Sequence, residues 1–340
     1  MKLIRTQEAA GHVLCHDLTQ IIPGEYKGAR FRKGHMVEEA DIPVLLSMGK
    51  EHLYVWEIHP GMLHEDDAAQ RLRKLSQGQN ISCSPEIREG KIELFAECDG
   101  YFTVNSGKLI AVNSVPDVML ATRKGGTAVK AGDKLAGMRV IPLVVPEATL
   151  EEAEAAAGPE PLLNVLPYRL KTAGIVTTGS EVKNGLIEDK FTPAVKGKLA
   201  ALGIETTAQI FSGDGVENVA IAINQVRAKG VDLVLCTGGM SVDPDDNTPG
   251  GIKAAGAEIV TYGAPVLPGA MFLLGYFADG VPVLGLPGCV MFAGATVFDL
   301  VLPKVAAGVP VTRADVVSMG EGGLCLGCKP CHWPNCPFGK

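Results

Sequence analysis

The chain has 340 residues, more than one ordinary domain holds, so two or three domains are expected. Hydrophobic residues make up 46% and charged residues 20%, which excludes a disordered chain and supplies a sizeable core. The net charge is −7 and Lys and Arg form no basic stripe, which argues against nucleic acid or an anionic membrane as a partner.

The first fifteen residues lack the apolar core of a signal peptide, and the most apolar region, Val281 to Val309, is broken by Pro282, Pro287, Asp299, Pro303 and Lys304. A cytoplasmic protein without membrane spans is expected. Five of the nine cysteines are scattered (Cys15, Cys83, Cys98, Cys236, Cys289) and read as small buried hydrophobes. The other four crowd into the last sixteen residues.

Residues 1–60 read as a small module of short strands and one helix. Asp41-Ile-Pro43 opens the helix, Gly49 ends it, and His52 to Ile58 returns as a strand. His12 and His16 have the spacing of a helical metal pair, but they lie in a strand pattern, where that spacing brings nothing together. Residues 61–160 read as a polar helix (Met62 to Gly78) followed by a β-rich domain. Its apolar runs are Ile92 to Ala96, Leu109 to Val112, Val118 to Ala121 and Val140 to Val145. The Ala/Glu stretch from Glu147 to Pro161 reads as a helical spacer.

From 161 to 312 the pattern changes. Strands over Thr172–Thr177, Glu205–Phe211, Val231–Cys236, Ala257–Thr261 and Val281–Leu286 alternate with helices over Pro193–Leu202, Val216–Lys229, a start at Thr248, and Cys289–Ala307. That alternation predicts an α/β fold with a doubly wound parallel sheet, preceded by the smaller, mostly β N-terminal region. Ligands of such sheets sit at the carboxyl ends of the strands. Three loops emerge there: Thr178-Gly-Ser-Glu181, Thr237 to Asp246, and Pro287-Gly288. Gly238 and Gly239 can take positive φ and turn amides inward on an anion. Asp243, Asp245 and Asp246 suit a divalent cation or the N–H edge of a heterocycle; a plain solvated turn is the alternative. No GxxxxGK[ST] or GxGxxG occurs, which excludes the usual nucleotide loops.

Three segments of this region resemble the molybdopterin-binding domain shared by molybdopterin adenylyltransferases, molybdopterin molybdenumtransferases and the competence-damage-inducible proteins. They are Thr177-Thr-Gly-Ser-Glu-Val182 with Gly185-Leu-Ile-Glu-Asp189, then Thr237-Gly-Gly-Met-Ser-Val-Asp-Pro-Asp-Asp-Asn-Thr-Pro249, then Gly285-Leu-Pro-Gly288. The resemblance implies molybdenum-cofactor biosynthesis with molybdopterin, or its adenylylated form, as substrate or ligand, and molybdate insertion as the step assisted. It implies catalytic roles for Asp246 and for Asp214, and Mg²⁺ beside them. It implies substrate contacts from Thr178, Gly179, Ser180, Glu181, Asp189, Thr237, Gly238, Gly239, Met240, Ser241, Thr248, Pro287 and Gly288. It also implies a homo-oligomer, and a molybdoenzyme or another cofactor-biosynthesis protein as partner. The sequence departs from the family where Cys289 and Phe292 replace polar residues and where Leu267-Pro-Gly-Ala-Met271 lacks two lysines. Each lost donor removes an anion contact, which keeps a non-catalytic pterin carrier or sensor open as the alternative. A nucleotide pyrophosphatase, as in the competence-related branch, is a third reading.

Residues 313–340 read as a detached Cys-rich metal-binding tail. Cys325, Cys328, Cys331 and Cys336 follow C-x2-C-x2-C-x4-C-P, one residue longer than an iron–sulfur pattern. An iron–sulfur cluster, a zinc site (with His332 as an alternative fourth ligand), a redox relay and idle thiols all fit that spacing.

Overall fold

The computed structural model describes residues 1–56, 60–241, 243 and 246–340. The end of the strand expected at His52–Ile58, and Asp245, lie outside the described residues. The chain divides into two compact units, residues 1–97, 104–125 and 131–164, and residues 98–103, 126–130 and 165–340.

In the first unit, Lys2–Arg5 pairs antiparallel with His52–Val55, and a small core forms around Leu14, Leu45 and Leu53. A four-stranded antiparallel sheet holds Ile81–Cys83, Ile92–Ala96, Lys134–Val140 and Val118–Thr122. The polar helix is shorter than expected. Met62–His64 is a strand, and the helix Glu65–Ser76 starts after His64, whose side chain accepts the Asp66 amide. Leu109 to Val112 is helical, inside Ser106–Asn113, because Asn105 caps that helix by accepting the Lys108 amide. A four-residue apolar run carries no period that separates helix from strand. The helix Glu147–Ala157 is no free spacer: Leu150, Ala153 and Ala157 are fully buried, and it packs on the two helices just named.

The second unit is built on a six-stranded sheet: β1 (Thr172–Thr178), β2 (Glu205–Ser212), β3 (Leu233–Thr237), β4 (Glu258–Tyr262), β5 (Leu273–Tyr276) and β6 (Pro282–Leu286), in the order 2-1-3-6-5-4. β2, β1, β3 and β6 run parallel, whereas β5 is antiparallel to both neighbours. The sheet is therefore mixed at one edge. β5 leads into β6 through Phe277 to Val281, closed by the Phe277 amide donating to the Val281 carbonyl and by the amide of left-handed Gly280 donating to the Phe277 carbonyl, and a turn this short cannot carry a crossover helix. β3 and β6 are buried at every position, as continuous apolar runs in a covered sheet must be.

The helices are α1 (Ser180–Lys183), α2 (Phe191–Ala200), α3 (Val216–Arg227), α4 (Thr248–Ala254), α5 (Val297–Ala306) and α6 (Arg313–Ser318). α5 starts later than the expected Cys289, because Thr296 and Asp299 form a capping box there and Gly288–Met291 is a separate 3₁₀ turn. One core lies between the sheet and α2 and α5, with Phe272 and Phe298 at its centre; a second lies under α3 and α4.

The tail differs from the expected detached segment. Phe338 is 2% exposed within the first core, with Trp333 edge-on against it at 5.6 Å between ring centroids. Leu324 bridges to Leu267, the loop between β4 and β5. The prolines and glycines of 320–340 shape a loop that packs on the domain, and two aromatic residues anchor it.

Candidate functional site

β1, β2, β3 and β6 all point their carboxyl ends at one edge, so the loops that follow them meet there. After β3 the chain turns through Gly238 (φ 86°) and Gly239 (φ 57°). A Cβ on Gly238 would lie 2.5 Å from the Thr178 carbonyl oxygen, and one on Gly239 2.7 Å from Thr248 Oγ1. Both positions therefore require glycine for conformation and for space.

The turn is held by two threonines. Thr178 Oγ1 donates to the Thr237 carbonyl (3.0 Å) and lies 3.1 Å from Thr248 Oγ1, which donates to the Gly238 carbonyl (2.8 Å). The Thr248 amide donates to the Gly239 carbonyl at 3.1 Å. The Thr237 and Gly238 carbonyls are bonded to the threonines, and two successive glycines at positive φ leave the turn able to offer its amides to an anion. Thr237 is fully buried beneath the turn, and its hydroxyl has no partner among the described residues. Such an orphan is uncommon in a finished core.

The β1 loop and the β2 loop are tied together. The Ser180 amide donates to Asp214 Oδ2 at 3.2 Å, and Gly179 (φ 125°) donates to the Ser212 carbonyl. Asn218 Nδ2 holds the Asp214 carbonyl at 2.8 Å. Asp214 stands just before α3 and Asp246 just before α4. These helices pack closely because Gly250 and Gly251 face Val216 and Val219; a Cβ on Gly251 would sit 2.4 Å from Val219 Cγ1. The packing brings both aspartate loops to the same edge.

Tyr262, at the end of β4, donates to the Met240 carbonyl (3.0 Å) and reaches the Ser241 carbonyl (3.4 Å). Burial first, and then the charge of Asp246, raise its phenol above the usual value, so Asp246 and Tyr262 share one environment. Tyr262 and Asn218 were not legible in the sequence, since their roles come from strand order and not from any local motif.

The residues singled out from the sequence thus fall into three groups. Thr178, Gly179, Ser180, Thr237, Gly238, Gly239, Met240, Ser241, Thr248, Asp214 and Asp246 share the edge, with Ser241 exposed and Met240 buried beneath it against Gly285. Pro287 and Gly288 join them from β6, and their 3₁₀ turn packs on α2. Asp189 does something else. It accepts the Phe191 and Thr192 amides, the Thr192 hydroxyl and the Gln209 amide. Burial raises its carboxyl, and these donors outweigh that and hold it below the ordinary value. Its acceptors are spent starting α2 and tying it to β2. Glu181 is exposed.

Among the described residues no three His, Cys, Asp or Glu side chains gather closely enough to hold a metal. This applies to Asp214, Asp243 and Asp246 and to the four tail cysteines alike. Of the scattered cysteines, Cys15 and Cys236 are buried as expected, and burial pushes the Cys236 thiol up to about 12; Cys83, Cys98 and Cys289 are half-buried. A cavity of about 420 Å³ opens at the opposite, amino-terminal edge, lined by Leu170, Arg227, Asp232 and Asp279 among others. Asp232 there accepts the Lys171 and Thr172 amides and Asp279 pairs with Arg227, so that cavity offers no anion nest.

Residues 174–307 match the sequence model of a family described as "Probable molybdopterin binding domain". The match covers 134 of the chain's 340 residues. Residues 3–57 match a second model, described only as a domain of unknown function. The curated relatives include a CinA-like protein of Mycolicibacterium vanbaalenii, 31% identical over 158 residues, 44% of this chain and 37% of that one. Another, of Mycobacterium sp. strain MCS, is 33% identical over 89 residues, 26% of this chain and 21% of that one. The chain thus spans well under half the length of these relatives. Solved structures similar to it include the tungsten cofactor synthesizing protein MoaB of Pyrococcus furiosus (23% identity, 40% of this chain, 93% of that one, TM-score 0.34). The molybdopterin biosynthesis moea protein of Pyrococcus horikosii is another (15% identity, 90% of this chain, 74% of that one, TM-score 0.34). The loops described above fall inside the molybdopterin-binding domain, and no described helix is long and apolar enough to cross a membrane.

Proposed function

We propose that this chain binds molybdopterin, or its adenylylated form, at the carboxyl edge of the large sheet and assists molybdate insertion in molybdenum-cofactor biosynthesis. The observation that carries this reading is the Gly238–Gly239 turn, locked by Thr178 and Thr248 inside a molybdopterin-binding domain. A nest of backbone amides suits a terminal phosphate, and it costs no reorganisation because the threonines already fix it. In this reading the nest and Ser241 hold the phosphate, Pro287 and Gly288 shape the wall toward β6, and Asp214 and Asp246 stand over the reacting groups.

Carboxylates beside a phosphate need a cation between them. Mg²⁺ is commonly bound by one or two carboxylates together with substrate phosphate and water, so two aspartates on neighbouring loops are a fitting donor set even where no three-carboxylate cage exists. Bound there, Mg²⁺ would neutralise phosphate charge. Asp214 is pre-positioned by the Ser180 amide, and Asp246 lies close enough to Tyr262 for its charge to act on the phenol. The same reading includes a homo-oligomer, which sedimentation tests, and a recipient molybdoenzyme in the cytoplasm.

A second reading, a non-catalytic pterin carrier or sensor, is favoured by one feature. The loop Leu267 to Met271 and the turn Cys289 to Phe292 present no charged side chain to the edge, and Phe292 is 79% exposed. Mass spectrometry of ligand released from anaerobically purified protein tests the binding shared by both. Molybdopterin or its adenylylated form is expected; a nucleotide without pterin would contradict both and point to pyrophosphatase chemistry.

A further inference from the structure

The four-cysteine loop is anchored to the fold at several points. Its two ends are joined, with the Gly339 amide donating to the Gly322 carbonyl at 2.9 Å. It is fixed to the loop between β4 and β5 by a pair of backbone hydrogen bonds, Leu267 N to Gly323 O and Cys325 N to Leu267 O, both 2.8 Å. Glycine is needed at each anchor. A Cβ on Gly323 would meet the Met319 carbonyl at 2.4 Å, and one on Gly339 would meet Leu300 at 2.4 Å. Phe338 then plugs the core, and Trp333, Cys325 and Cys336 pack against it.

Between these anchors residues 325–337 carry no helix or strand, and Cys328 and Cys331 are exposed while Cys325 and Cys336 are half-buried. None of the four is in a disulfide. Exposed free thiols are a liability that a sequence keeps for a purpose. Gathering four ligands from an open tail costs chain entropy, and a loop whose ends are already joined has met most of that cost. Cys325 and Cys336 are the fixed pair, and Cys328 and Cys331 ride on the exposed part between them.

We propose that this loop is a metal-assembled site in which Cys325, Cys328, Cys331 and Cys336 together bind one zinc ion or one iron–sulfur cluster as thiolates. No three of the thiols stand close enough together to share a metal, so binding would draw the exposed segment 326–335 inward while both anchors stay. The site lies on the same edge as the pterin loops. Leu267 belongs to the connection leaving β4 at that edge, and Cys331 Sγ touches Gly294, which follows the Gly288–Met291 turn; a Cβ there would come within 2.6 Å of the sulfur. Metal binding by the loop does not depend on pterin binding.

The test uses the full chain purified without oxygen, loaded either with Zn²⁺ or with iron and sulfide. Metal per chain is measured by elemental analysis, visible absorption by spectrophotometry, and Zn²⁺ affinity by competition with a chromophoric chelator. One equivalent of zinc without colour, or a brown protein with thiolate-to-iron absorption, supports the site and names its occupant. Cys328→Ser and Cys331→Ser, both at exposed positions, are expected to lower Zn²⁺ affinity by at least ~100-fold with an unchanged far-ultraviolet spectrum. Cys83→Ser, outside the loop, should bind as the parent does. A parent chain that holds neither metal after both loadings, or serine variants that bind with undiminished affinity, would overturn the proposal.

Discussion

Asp246 and Asp214 occupy equivalent places, each just before a helix that rises from the carboxyl edge, but they are held differently. Asp214 is bonded to the Ser180 amide, whereas Asp246 is placed by its own turn, its amide donating to the Asp243 carbonyl at 2.9 Å. Asp246→Asn keeps shape and removes charge. If the domain is catalytic, turnover should fall by at least ~100-fold while phosphate-dependent binding survives, because the nest is built from backbone. Steady-state kinetics paired with a direct binding assay separates the two effects. His64, in the first unit, makes a different prediction. Its Nε2 lies 2.7 Å from the Cys15 carbonyl and its Nδ1 accepts the Asp66 amide, so the neutral ring caps a helix. Burial, and then the neighbouring Lys33, hold its imidazole below the ordinary value. The unfolded chain therefore takes up the proton first as pH falls through about 6.5, and this contribution to stability is present above that pH and lost below it. Urea midpoints at pH 7.5 and 5.5 should show the drop, and His64→Gln should reduce it.

At the level of elements, the alternation of strand and helix between 172 and 306 was legible because β1, β3 and β6 are buried on both faces and the helices end at glycines. Three elements were not. β5 is four residues long and antiparallel, and nothing in Leu273–Tyr276 differs from a buried loop until β6 is beside it. Ser106–Asn113 is helical because of its cap, which outweighs an apolar run that fits either period. The tail read as detached because its prolines and glycines are what a linker contains; Phe338 decides otherwise by burial. That difference is measurable. Phe338→Ala should lower stability by about 3–5 kcal/mol, as loss of a fully buried aromatic does, with the melting temperature falling accordingly. A melting temperature equal to the parent's would mean that the loop hangs free.

Across the whole molecule, the site loops were found from glycine, threonine and aspartate at strand ends, while the hydrogen bonds that fix them required the fold. Thr178 and Thr248 are 70 residues apart and only the order 1-3 in the sheet makes them neighbours. Asp189 was assigned to substrate from its motif, yet its oxygens are occupied by Thr192, Phe191 and Gln209; a motif gives position and not what a side chain is already bonded to. The chain carries a net charge of −7, so an anionic pterin is not steered toward it by the overall field. Raising salt screens that repulsion, and the association rate should stay level or increase between low and physiological ionic strength. A rate that falls steeply with salt in stopped-flow measurements would place the ligand on a basic surface instead.

The most direct test of pterin binding at the Gly238–Gly239 turn is equilibrium titration of molybdopterin into the parent chain and into Ser241→Glu under anaerobic conditions. Ser241 is exposed, so the substitution adds a negative charge at the mouth of the nest without disturbing the core. The parent should bind in the micromolar range or tighter. Ser241→Glu should bind at least ~10-fold more weakly with an unchanged melting temperature, since a like charge a few ångströms from the phosphate costs about 1–4 kcal/mol at a partly wet site. Equal affinity in the two proteins, or no binding by the parent, would contradict the assignment.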